Sequence, residues 1–396
     1  MRPLVLPFLA AALASQTLAP PAPPLAPPAA KVATFHLPAG DYSVAELLQQ
    51  AGQALRRPIA TPQELPAGAP LRLQCDLALP HQAWEDVLGA LLATRGLVLV
   101  RDAAGTGHEV LPAPAAMEDW VAERAVAMTP REVLERSAFA GPVTVLAPTT
   151  SQVPVLVNVL RPHLAGGQHA IRFKAVDGGV QFVGMADQVR FALRTIAPQA
   201  PDLAATLPTG AAAPWPRPAE AVTHRLAAGS HTAAQVIDRL ATVTGRNLVA
   251  SPAVAADTTP FEVATAIEGD ALRFEERLTA LLWSRRMIVL QVSAAHRLGE
   301  VVLLEPRAWP GSARVLEIRA EELLARPELV AWVTTEPAVG SLPQQEVTAV
   351  FRAAAAVVPG ANSLTLAATR GGFRVSGLSS DVTAVLQRLE AKKAGK

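Results

Sequence analysis

The chain repeats itself at long range. The stretch Leu37-Pro38-Ala39-Gly40-Asp41-Tyr42-Ser43-Val44-Ala45-Glu46-Leu47-Leu48 has a counterpart 189 residues on, Leu226-Ala227-Ala228-Gly229-Ser230-His231-Thr232-Ala233-Ala234-Gln235-Val236-Ile237. Trp84-Glu85-Asp86-Val87-Leu88-Gly89-Ala90-Leu91-Leu92 faces Phe274-Glu275-Glu276-Arg277-Leu278-Thr279-Ala280-Leu281-Leu282 at an offset of 190. Gly178-Gly179-Val180-Gln181-Phe182-Val183-Gly184 faces Gly371-Gly372-Phe373-Arg374-Val375-Ser376-Gly377 at 193. Three matches in one order, drifting by so little, imply a duplication. Whatever the first half folds into, the second must fold into as well.

Each half divides again. Residues 32–112 open with a strand over Val32–Leu37. Ser43 and Glu46 then form a capping box, and Val44, Leu47, Leu48, Ala51 and Leu55 give one helical stripe. Thr232 and Gln235 repeat the device in the copy. Leu71–Leu77 alternates apolar and polar, which predicts a single half-buried strand with Cys75 on its apolar face. Trp84, Val87, Leu88, Leu91 and Leu92 mark a second helix, and Leu97–Val100 with Glu109–Leu111 a closing hairpin. Residues 119–200 read as a helix over Thr129–Arg136, a strand over Val143–Leu146 and a helix over Val155–Leu164. A hairpin, Ile171–Val176 and Val180–Val183, turns at Asp177-Gly178-Gly179, and a last helix runs over Asp187–Ile196. Residues 222–305 and 312–396 are the expected copies. The fold class is therefore α+β, built of small two-layer modules in tandem.

Two proline-rich segments punctuate this plan. Residues 15–31 hold six of the 35 prolines, and residues 201–221 form a second linker between the halves. Such segments favour extended conformations, so each half is expected to engage its partners separately. Residues 1–14 put one positive charge before an apolar run, Leu4–Ala14, ending in Ala12-Leu13-Ala14. This is the pattern of an export signal, and it is too short to span a bilayer of about 30 Å. The expected location is the periplasm, with no stable membrane insertion after cleavage.

A formal net charge of +1 argues against nucleic acid as the main partner. A single cysteine excludes an internal disulfide and a multi-cysteine metal site. Cys75 reads as a small core residue or, alternatively, a reactive thiol. The eight histidines, at 36, 81, 108, 163, 169, 224, 231 and 296, fall into no zinc spacing. Phosphate-loop, dinucleotide and nucleophile-elbow motifs are absent from the sequence. Glu85-Asp86 and Glu275-Glu276 stand at equivalent positions. They read as a solvated helix face, with an acidic partner patch or acid–base chemistry as alternatives. Arg285-Arg286 complements a helix C-terminus or binds an anion.

The module pair resembles the periplasmic N-domains of bacterial secretins. Phe35-His36-Leu37-Pro38-Ala39-Gly40, Val44–Leu48, Val87–Leu92 and Gly245-Arg246-Asn247-Leu248-Val249 are similar to the N0 domain, also found in TonB-dependent transducers (the STN domain). At the last of these the first copy departs, with Arg56-Arg57-Pro58-Ile59-Ala60. Val155–Leu164, Asp177–Gly184, Asp187–Ile196, Asn362-Ser363-Leu364 and Gly377–Val382 are similar to the KH-like N1 module. The resemblance implies βαββα modules, N0-like at 32–112 and 222–305 and N1-like at 119–200 and 312–396. It implies partners in the cell envelope, a secretin or an inner-membrane secretion platform, and a possible homo-oligomer. The KH-like topology does not import RNA binding, since no Gly-x-x-Gly occurs. Secretins continue into a β-rich pore domain that residues up to 396 do not supply. The expectation is thus a non-catalytic adaptor of a type II secretion or type IV pilus-like assembly, with no catalytic, cofactor or metal residues. A transducer-like signalling module and an enzyme with a dispersed site are the alternatives.

Overall fold

The computed structural model describes residues 34–61, 70–80, 83–102, 106–149, 160, 170–197, 200, 202–203, 222–293, 295–304, 315–340, 342–356, 364–369 and 372–395. The first module runs β1 (Thr34–Leu37), β2 (Gly40–Tyr42), α1 (Val44–Leu55), β3 (Ile59–Ala60), β4 (Leu71–Leu73), β5 (Leu77–Pro80), α2 (Trp84–Ala93), β6 (Leu97–Arg101) and β7 (His108–Pro112). The second runs α3 (Asp119–Glu123), β8 (Val126–Met128), α4 (Pro130–Glu135), β9 (Pro142–Pro148), β10 (Ile171–Val176), β11 (Gly179–Met185) and α5 (Ala186–Ile196).

The second half repeats this plan. Its first module holds β12 (His224–Leu226), β13 (Gly229–His231), α6 (Ala233–Thr244), β14 (Asn247–Ala250), α7 (Pro252–Ala255), β15 (Phe261–Val263), β16 (Ile267–Gly269), α8 (Ala271–Trp283), β17 (Met287–Ser293) and β18 (Leu298–Leu303). Then come β19 (Leu316–Glu317), α9 (Ala320–Leu324), β20 (Trp332–Thr335), α10 (Gln344–Ala355), β21 (Thr365–Thr369), β22 (Gly372–Leu378) and α11 (Ser379–Lys393).

Strand order is the same in both halves. β1 pairs with β5, β2 with β4, and β3-β7-β6 form a sheet; β12-β16, β13-β15 and β14-β18-β17 match them. The four-stranded sheets β10-β11-β9-β8 and β21-β22-β20-β19 match in turn. Parallel and antiparallel pairings agree strand for strand, β3 with β7 as β14 with β18, and β8 with β9 as β19 with β20.

The helix starts follow from local chemistry. Glu46 N–H donates to Ser43 Oγ at 3.2 Å while Ser43 N–H donates back to the Glu46 carboxylate at 2.8 Å. Thr232 and Gln235 make the same reciprocal pair at 3.3 and 2.9 Å, so two orphan donors are satisfied with different residues. Thr129 and Glu132 build a third such box ahead of α4. Helix ends differ. After α6 the chain turns at Gly245 with φ 63°, but after α1 it turns at Arg56 with φ 51°. A left-handed residue with a Cβ costs about 1–2 kcal/mol. Gly245→Ala is therefore expected to lower stability by about 1–2 kcal/mol, whereas Arg56→Gly is expected to cost nothing, strain relief offsetting the added freedom of the unfolded chain. Urea midpoints of the two variants check this asymmetry.

Among the described residues each module has a main core, and a smaller apolar cluster joins the two modules of each half, Val98, Val121 and Met185 in the first and Ile288, Leu290 and Trp332 in the second. Trp84, fully buried, meets Phe35 edge-on at 4.4 Å between ring centroids in the first main core. Phe182, Val189, Leu193 and Ile196 fill the second, Phe274 and Leu278 the third, Val333, Val375 and Val382 the fourth. Leu160, from the segment 155–164 expected to be helical, is buried in the second core; the rest of that segment lies outside the described residues. Gly178, with φ 82°, makes the hairpin turn between β10 and β11.

Several sequence expectations need correction. Leu71–Leu77 is two strands, β4 against β2 and β5 against β1. The break falls at Gln74-Cys75, whose polar groups leave the first module altogether (below). The second module begins with α3 and β8, ahead of the expected helix. Leu203, assigned to the linker, is buried in the second core. The halves are not separate bodies either: residues 34–396 form one compact unit, and the first core takes in Val249, Val292 and Leu298 of the second half.

Candidate functional site: the contacts that lock the modules

The paired carboxylates are not a solvated face. Glu85 and Asp86 lie on the first turn of α2, and Glu275 and Glu276 on the second turn of α8. The second module of each half reaches Asp86, Glu275 and Glu276. In the second half Glu276 is fully buried and Glu275 is 6% exposed. Arg326, just beyond α9 and 4% exposed, donates to Glu275 at 2.8 Å and Glu276 at 3.3 Å. Arg246 reaches Glu275 at 3.2 Å, and Arg273 reaches Glu276 at 3.2 Å. Two carboxylates thus meet three guanidinium groups.

The first half builds the same clamp with less charge. Arg136, 190 residues before Arg326, grips Asp86 with two bonds of 2.5 and 3.0 Å. Such bidentate charge-assisted pairs are the strong ones. Glu85 turns instead to His108 at 3.2 Å and Arg101 at 3.3 Å. His108 and then Arg101 hold its carboxyl at about 2, well below the usual 4.5, against burial, which acts upward. A group depressed in this way stabilises the fold above pH about 4.5, and the contribution is lost as pH falls toward 2. Wild type should therefore lose stability between pH 5 and 3 more steeply than Glu85→Gln, by at most about 3 kcal/mol over the full window. Thermal unfolding across that range is the check.

A second set of contacts joins the halves. Gln74 uses its amide as a strand would use its backbone: Leu248 N–H donates to Gln74 Oε1 at 2.9 Å, and Gln74 Nε2 donates to Leu248 O at 3.0 Å. Cys75 N–H donates to Asn247 Oδ1 at 2.9 Å. The edge of β14 is thereby satisfied by the first half, as a buried edge must be. Arg95, 8% exposed, donates to Ala250 O at 2.9 Å and Pro70 O at 3.2 Å. Arg72 pairs with Asp238 at 3.0 Å, and Arg194 with Glu317 at 3.5 Å.

Cys75 is accordingly half-buried at this junction, not a core residue, and burial pushes its thiol pKa up, away from the thiolate a nucleophile needs. Arg285 does not serve the helix end. It donates to the Thr259 and Pro260 carbonyls and stacks on Phe261, 4.4 Å from the ring centroid. The histidines are dispersed: His36 faces Asp76 at 3.2 Å, His224 stacks on Phe274, and His231 contacts Ala227 O at 2.8 Å. His296 is half-buried; desolvation lowers its pKa, and the charge of Asp86 opposes this. His81, His163 and His169 lie outside the described residues. Among the described residues, no group of three or more potential ligands is placed to hold a metal ion.

Sequence reasoning placed Glu85, Asp86, Glu275 and Glu276 together by register but gave them the wrong surroundings. Arg136, Arg326, Gln74, Arg95 and Asn247 went unassigned as contact residues. The one available signal was the offset itself, since Arg136 and Arg326 stand as far apart as the carboxylate pairs do.

No protein-family model matches this chain, and no curated protein matches it. Among solved structures it is similar to a dimeric mutant of the N-terminal domain of the secretin XcpQ from Pseudomonas aeruginosa. The identity is 11% and the TM-score 0.16, over 53% of this chain and 75% of that one. A likeness at that level transfers neither chemistry nor partners. What the structure itself defines is a mixed α+β chain of repeated small sheets packed with helices. No helix among the described residues is long and apolar enough to cross a membrane.

Proposed function

We propose that the chain is a non-catalytic protein-binding scaffold of the secretin N-domain kind. In this reading the modules at 32–112 and 222–305 are N0-like, those at 119–200 and 312–396 are N1-like, and the protein is exported to the periplasm. It serves there as an adaptor in a type II secretion or type IV pilus-like assembly. The observation that carries the reading is where the polar chemistry goes. The buried carboxylates meet arginines of a neighbouring module, and Gln74, Arg95 and Asn247 join the halves. Acid–base work needs a group able to change protonation near the working pH; a carboxylate at about 2 beside His108 and Arg101 stays ionised. Charges held in this way fix the geometry of a body, and small sheets in a fixed array offer faces and edges to other chains.

Cross-linking the intact protein in cells of its source, followed by purification and mass spectrometry, tests the proposal. The expected product contains a secretin subunit or an inner-membrane platform protein. Recovery of neither, together with turnover of a small molecule by the purified chain, would overturn it.

A further inference from the structure

One face is covered in the first half and open in the second. Beside β4 the first half seats the edge of β14. Gln74 holds both backbone groups of Leu248, Cys75 N–H meets Asn247, and Arg95 reaches the Ala250 carbonyl. Val249, Val292 and Leu298 of the same sheet enter the first core. In that setting Leu77, Leu91, Thr94 and Arg95 are all buried. The counterpart face of the second half has the same frame. Arg285 holds the Pro260 carbonyl as Arg95 holds that of Pro70. Phe261 and Val263 of β15 fill the third core as Leu71 and Leu73 of β4 fill the first. Yet Ile267, Leu281 and Arg285, at the places of Leu77, Leu91 and Arg95, are only half-buried. Ala264, Thr265 and Ser284, at the places of Gln74, Cys75 and Thr94, are exposed. The N–H of Thr265, counterpart of the Cys75 donor, has no acceptor among the described residues.

We propose that this open face, beside β15 and the end of α8, docks the edge strand of a sheet in a partner protein. The inference rests on the scaffold reading and names the surface it uses. A sheet edge is the occupant because the sister face holds one, by polar bonds to its backbone and by aliphatic side chains placed in the core beneath. Such an edge needs its outward N–H and C=O groups satisfied, and pairing with another chain does this. The charge it must carry follows from one exchange. Arg72 meets Asp238 across the sister interface at 3.0 Å, and Glu262 stands in the place of Arg72. Among the described residues Glu262 has the Ser230 hydroxyl at 2.9 Å and no basic partner. The docked edge therefore brings a lysine or arginine to it. A second copy of this chain does not fit. Its β14 edge is already taken, and its equivalent edge, β3, has Ala60, Asp102 and Gly107 where Val249, Val292 and Leu298 supply the apolar side chains.

The test uses the full chain in its source cells with a photoreactive benzophenone side chain at position 264. A second chain carries it at position 146, where Leu146 is 49% exposed on a different module. Adducts are mapped by mass spectrometry. The expected adduct at 264 joins a different protein, on the outermost strand of one of its sheets and near a basic residue. Its yield falls about fivefold with Glu262→Lys, as exchange of one exposed attractive pair for a repulsive one requires. The yield at 146 and the urea midpoint stay unchanged. An adduct to a second copy, to a helix or a loop, or one indifferent to the charge reversal overturns the proposal. Capture of an envelope protein at 146 but not at 264 overturns this surface alone. Capture at neither position overturns the scaffold reading with it.

Discussion

Replacing Arg326 by methionine is expected to lower the unfolding free energy by about 3–5 kcal/mol, the usual consequence of stripping one partner from a buried ion cluster. Glu275 and Glu276 would keep only Arg246 and the half-exposed Arg273, with no solvent to replace the lost bonds. The expected loss is large because the carboxylates remain, not because the cluster is intrinsically strong. Arg326→Met combined with Glu275→Gln and Glu276→Gln should therefore recover most of it. Arg136→Met removes a guanidinium that is 36% exposed from a single aspartate, so it should cost clearly less. Urea titration of the four proteins checks the order. A loss below about 1 kcal/mol for Arg326→Met is what an exposed pair gives and would contradict the clamp.

Leu298→Ala should cost about 2–5 kcal/mol, as truncations in a close-packed core do. The location of the effect matters more than its size. Leu298 belongs to β18 of the second half, yet it is fully buried among first-half residues such as Leu73 and Leu91. Its truncation should loosen amides of β6 and β7 in the first half as well as those of β17 and β18. Native-state hydrogen exchange reads both. Faster exchange confined to the second half would mean that the shared core does not couple them.

Much of this was legible in the sequence, and the reason is physical. Capping boxes, apolar stripes and glycine turns act within a few residues, so Ser43, Thr232 and Gly178 announced their elements locally. The offset of about 190 residues then fixed the architecture, since equal patterns have equal solutions. What did not show was anything decided by contact between modules. Alternation over Leu71–Leu77 predicted one strand, but Gln74 and Cys75 turn away to finish the edge of β14, and no local pattern encodes that partner. Glu85-Asp86 and Glu275-Glu276 looked like a wetted helix face because period alone cannot say that a second module reaches it. The prolines after residue 200 suggested independent halves. A proline-rich connection says how the chain crosses, not whether the bodies it joins then pack.

The central claim is that the clamps and the shared core make four small modules into one rigid body, so that any partner meets a fixed array of faces. Scanning calorimetry of the intact chain tests it most directly. One transition, with equal calorimetric and van't Hoff enthalpies, is the expected result. Two separable transitions, each with the enthalpy of about half the chain, would contradict it and return the halves to independent action.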